Sequence, residues 1–107
     1  MSDQETTAPE QPEQEFPLPE PSIDWFTLSL RMEAEAHLGL FHAGEEKDRP
    51  KPNLAAARHA IDMLALLQDK TRGNLTLEEQ RLLENSLTEL RFRYVQVFEE
   101  SKKAPQS

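Results

Sequence analysis

In the second half of the chain, Leu83, Leu87, Leu90, Tyr94 and Val97 recur at spacings of four, three, four and three. Such spacing makes one apolar seam on an α-helix, facing a single neighbour. Upstream, Leu54, Ala57, Ala60, Ile61, Met63, Leu64, Ala65 and Leu67 sweep out more than half of a helix circumference. Only Arg58, Asp62 and Asp69 keep a clear polar strip there. A helix apolar over so wide an arc has to be covered from more than one side. The stretch from Ile23 to about Phe41 reads as a helix with two opposed apolar stripes. Ile23, Phe26, Leu30, Ala34, His37 and Phe41 form one, and Trp25, Leu28, Met32, Ala36 and Leu40 the other. Asp24, Arg31, Glu35 and His42 separate them on one side, Ser29 and Glu33 on the other. Two stripes predict two packing partners. One is the rest of the chain; the other is a second copy, a partner protein or the central helix of another subunit.

The residues between these stretches turn the pattern into an architecture. Lys70, Thr71 and Arg72 supply a basic last turn that suits the negative end of a helix. Gly73 and Asn74 follow, and glycine tolerates the left-handed conformation that closes one. Thr76 and Glu79 then form a capping box, in which the Thr hydroxyl accepts from the third helical amide and the Glu reaches back to the Thr amide. A stop and a start this close force antiparallel neighbours. Asn53 caps the central helix after Pro50 and Pro52, and Ser22 caps the first. No alternating strand pattern occurs. The predicted fold is all-α: three helices, with helices 2 and 3 in an antiparallel hairpin and helix 1 packed against it. Three helices in some eighty residues make a modest core. With apolar faces to spare, that favours a dimeric bundle over a monomer whose extra apolar residues are simply exposed.

Composition sets the boundaries. Residues 1–22 hold five of the eight prolines, six acids and no Lys or Arg, and read as a disordered, acidic, proline-rich tail. Phe16-Pro17-Leu18-Pro19 within it could serve as a short extended recognition motif, or the whole tail simply as a solubilising one. A helical domain is expected over 23–100 and a polar tail over 101–107. Of the net charge of −8 the tail carries most, because the remaining fourteen acids face twelve bases. Overall acidity argues against a phosphate backbone or an anionic membrane as partner. The chain has no cysteine, so disulfides and thiolate chemistry are excluded. No segment is apolar for long enough to cross a bilayer, and the acidic start does not read as a signal peptide, so the expected compartment is the cytoplasm.

Candidate chemistry is sparse. The histidines are His37, His42 and His59, and Glu33 and His37 stand four apart on the first helix. His37 falls on an apolar stripe without further spaced ligands, so a hydrogen-bonded histidine is the better reading than a metal site. Asp62 after Arg58, and Arg93 after Glu89, read as i,i+4 ion pairs worth about 0.3 kcal/mol each. No nucleophile elbow or glycine-rich phosphate loop is present. No catalytic residue, metal, cofactor or small-molecule substrate is therefore expected. Arg91, Phe92 and Arg93 stand out instead. Phe92 projects nearly opposite Tyr94, where an exposed aromatic flanked by arginines suits a protein hot spot or base stacking on RNA. The alternative is that Phe92 packs under the first helix or across a dimer interface.

The chain resembles a family of small bacterial proteins catalogued only as a domain of unknown function. The resemblance spans Phe26 to Val95. It rests on His37-Leu38-Gly39, Asn53-Leu54, Ala57-Arg58, Ile61-Asp62, Leu64, Leu67 and Lys70-Thr71. It continues through Gly73-Asn74-Leu75-Thr76, Glu79, Leu82-Leu83, Leu87, Leu90-Arg91 and Tyr94-Val95. The string KTxGNLTxxE is its most specific part. The resemblance implies an all-helical cytoplasmic domain and supplies no activity, ligand or catalytic residue. The chain departs from the family's more apolar first helix at Arg31, Glu33 and Glu35. The function expected is a non-enzymatic, homodimeric protein-interaction module whose contact face is Trp25, Leu28 and Met32. The alternative is a nucleic-acid-associated accessory protein using Arg91, Phe92 and Arg93.

Overall fold

A computed structural model of the chain describes residues 17–42, 44–45 and 49–103. Of the tail expected over 1–22, residues 1–16 lie outside the described residues, and so do residues 104–107 of the tail expected over 101–107. Three helices follow one another: α1 (Ile23–His37), α2 (Leu54–Lys70) and α3 (Leu77–Lys103), and among the described residues there is no strand. Each predicted start is made by the side chain that predicts it. Ser22 Oγ accepts from the Trp25 amide at 3.0 Å, and Asn53 Oδ1 accepts from the Ala56 amide at 3.0 Å. At α3 the capping box is closed both ways: the Glu79 amide donates to Thr76 Oγ1 at 3.1 Å, and the Thr76 amide donates to Glu79 Oε1 at 2.8 Å.

The reversal between α2 and α3 falls where the sequence puts it. Thr71 ends α2, its amide and hydroxyl both donating to the Leu67 carbonyl. Gly73 then takes a φ of +84°, a conformation that costs other residues about 1 kcal/mol or more. Two helices joined this tightly lie antiparallel, and α1 packs against both.

α1 is shorter than its apolar pattern suggests, ending at His37 rather than near Phe41. Gly39 stops it, with φ of +78°. The Gly39 amide donates to the Ala36 carbonyl and the Leu40 amide to the Glu35 carbonyl, both at 3.0 Å, which is a Schellman closure. A Cβ on Gly39 would also stand 3.3 Å from the Pro50 carbonyl oxygen, so the connection to α2 passes close by. The His37 carbonyl then accepts from the Asn53 amide at 2.8 Å, tying the end of α1 to the cap of α2. At the other end of the chain α3 continues to Lys103, three residues beyond the point where fraying is expected.

Ala34, Ala60, Ile61, Leu64, Leu83, Leu87 and Leu90 make the main core, drawn from all three helices. Leu64, Leu83 and Leu87 lie inside it, each contributing roughly 1.5–3 kcal/mol by burial. A second cluster of Leu38, Ala57 and Val97 closes the end where α1 stops and α3 runs on.

The inward face of α1 is rotated from the stripe expected. Thr27, Ala34 and Leu38 are fully buried and Leu30 packs on the core, whereas Phe26 and Phe41 are exposed. Arg31, read as part of a polar strip, turns towards the hairpin. The wide apolar arc of α2 is only partly covered: Ala57, Ala60, Ile61 and Leu64 are buried, and Met63 and Leu66 are exposed.

Candidate interaction surfaces

Arg31 is the hub of the polar contacts between α1 and α3. Its Nε donates to Glu35 Oε2 at 3.1 Å, one terminal nitrogen donates to Glu89 Oε1 at 2.7 Å, and the other to the buried Ser86 hydroxyl at 3.3 Å. Burial alone would lower the Arg31 pKa. The hydrogen bond to Glu35 and the charges of Glu89 and Glu35 outweigh it and hold the pKa above its ordinary value. Glu89, read as the partner of Arg93, bonds Arg31 instead. The network is therefore a structural clamp. It also keeps the one arginine of α1 away from the outer surface of that helix.

That outer surface carries Trp25 and Met32, 39% and 41% exposed, with half-buried Leu28 beside them. Asp24 and Glu33 flank the stripe and are exposed. The face has apolar anchors and an acidic rim.

The second surface runs along α3. Successive helical residues point about 100° apart, so Arg91, Phe92 and Arg93 do not form one patch. Phe92 is 62% exposed, Val95 54% and Phe98 40%; around α3 Phe92 and Phe98 stand about 60° to either side of Val95. Phe98 is held by its neighbours: its ring stacks on Tyr94 with centroids 6.4 Å apart, and Lys102 Nζ lies 5.2 Å from the ring centroid. Arg91 lies between Val95 and Phe98 around the helix and lines a depression of about 210 Å³ with Arg58, Ile61, Asp62 and Tyr94. Arg58 and Asp62 are within 4.0 Å of each other there, as the i,i+4 spacing predicts, and both are well exposed.

The remaining candidates are dispersed. His37 Nε2 stands 3.8 Å from Glu33 Oε2, the pair the spacing points to. His42 Nε2 is 2.6 Å from the Glu45 carbonyl oxygen, and His59 is exposed on α2. Among the described residues no three His, Asp or Glu side chains converge so as to hold a metal ion. Among the same residues no helix is long and apolar enough to cross a membrane. Lys70, Gly73, Asn74, Thr76 and Glu79 serve the turn. Sequence reasoning missed Arg31 as a clamp, because its partners Ser86 and Glu89 are more than fifty positions away. It also missed Val95 and Phe98, which with Phe92 make a run of exposed apolar residues at three-residue spacing.

Comparison with known proteins finds no matching curated protein and no matching solved structure. A family model does match, over residues 20–96, which take in all of α1 and α2 and most of α3. With well over half of its length covered, the chain belongs to the family described as Domain of unknown function (DUF1844).

Proposed function

We propose that the protein is a non-enzymatic, cytoplasmic helical module that works as a homodimer and binds another macromolecule through the outer side of α1. One observation carries this reading. Trp25 and Met32 stay at the surface of a helix whose opposite face is already closed by Thr27, Ala34 and Leu38. Large aromatic and thioether side chains clustered on one face are what protein interfaces enrich. Asp24 and Glu33 at the rim suit a partner that presents an apolar ridge flanked by Lys or Arg. Affinity capture from the native cell tests this with wild type, Trp25→Ala and Met32→Glu, each checked for unchanged helicity by circular dichroism. A partner held by wild type and lost by both variants supports the reading. A partner held equally by all three removes α1 as the contact face.

A second reading has one observation in its favour: Arg58 and Arg91 line the same depression beside Tyr94, where a phosphate and a base could be engaged together. Asp62 next to Arg58, and the net charge of −8, weigh against it. Titration with single-stranded RNA at two salt concentrations separates the readings, because phosphate contacts weaken steeply with salt. Absence of binding at low salt eliminates it.

A further inference from the structure

Val95 stands at the middle of a symmetric run of residues on α3. Phe92 precedes it by three positions and Phe98 follows it by three, while Arg91 precedes it by four and Glu99 follows it by four. All five are exposed. We propose that a second copy of this chain docks on this face, α3 against α3 and antiparallel, about a two-fold axis at Val95. The inference rests on the reading of the protein as a homodimer and specifies where the copies meet.

An antiparallel two-fold exchanges positions equally far before and after its centre. Val95 of one copy therefore meets Val95 of the other, and each Phe92 lies level with Phe98 of the second copy. Each Arg91 lies level with Glu99 of the second copy, so the same operation that joins the apolar residues joins opposite charges. An isologous interface requires this self-complementarity. Phe98 is already positioned by Tyr94 and Lys102, which lowers the ordering cost of association. The outer side of α1 lacks the same property. Its rim residues Asp24 and Glu33 are both acidic, and Arg31 is engaged inward by Glu35 and Glu89. Two copies paired there would set like charges against each other; two copies paired on α3 would not.

The absence of cysteine from the chain gives a direct test. Val95→Cys in the full chain introduces its sole thiol, and a disulfide between copies needs the two Cα atoms within about 7 Å. Oxidation is expected to convert this variant to a covalent dimer, while Met32→Cys stays uncrosslinked. Light scattering over a concentration series provides the second arm. Arg91→Glu is expected to weaken the dimer about tenfold, and Arg91→Glu combined with Glu99→Arg to restore it. Circular dichroism confirms that helicity is kept. A wild type that stays monomeric throughout the series overturns self-association and this inference together. A wild-type dimer that survives Val95→Glu and Arg91→Glu, or one crosslinked by Met32→Cys and not by Val95→Cys, overturns the α3 placement alone.

Discussion

Thr27 is fully buried and its hydroxyl has no hydrogen-bond partner among the described residues. An unpaired buried hydroxyl costs about 1–3 kcal/mol, and valine has nearly the same shape. Thr27→Val is therefore expected to leave the fold intact and raise its stability by up to about 1 kcal/mol, read from the midpoint of urea unfolding. Arg31 makes the opposite case. Arg31→Ala removes the guanidinium from two carboxylates and a buried hydroxyl at once, and is expected to lower stability by about 1–3 kcal/mol in the same measurement. The sign of its pH dependence follows from the raised pKa. The contribution is fully present below the ordinary arginine value and is lost only as pH climbs through the higher folded one, so mild alkali leaves it in place. Gly39 is constrained twice, by its positive φ and by the Pro50 carbonyl nearby. Gly39→Ala is expected to cost about 1–2 kcal/mol by the same unfolding midpoint.

Helix ends were the most legible part of the sequence, because a cap is local chemistry. Ser22, Asn53, Thr76 and Glu79 each make the bond their identity suggests within three positions of themselves. Thr76→Ala tests the strongest of them and is expected to lower the thermal midpoint, consistent with roughly 1 kcal/mol lost at the start of α3. The face a helix turns inward was less legible. On α1 the apolar spacing offered two stripes, and the buried line ran between residues of both kinds, through Thr27 and beside Arg31. A side chain counted as polar can face a core when a distant helix supplies its partners, and periodicity holds no record of a distant helix. The end of α1 was missed for a different reason. Phe41 continued the apolar pattern, yet Gly39 in left-handed conformation, followed by Leu40, outranks pattern where backbone geometry decides.

For the whole molecule the central fact is the unequal length of its helices. α3 has 27 residues, about 40 Å of helix, whereas α1 has 15 and α2 has 17. Towards its C-terminal end Val97 is buried with Leu38 and Ala57, and Leu40, Leu54 and Tyr94 pack against that cluster. Phe92 and Val95 lie on the side of α3 away from its buried seam, and Phe98 lies nearer Tyr94. If copies meet there, folding and assembly are linked by mass action. The thermal midpoint is then expected to rise with protein concentration for wild type and to become independent of concentration for Val95→Glu. A midpoint in wild type that ignores concentration over two decades counts against a dimer of any geometry.

The hydrogen bond from the Asn53 amide to the His37 carbonyl fastens the two ends of the α1–α2 connection to each other. Arg49 Nε donates to the Gly39 carbonyl at 3.3 Å close by. The stop of α1 and the start of α2 thus form a single clasp, in which fraying at either helix end is opposed by the other.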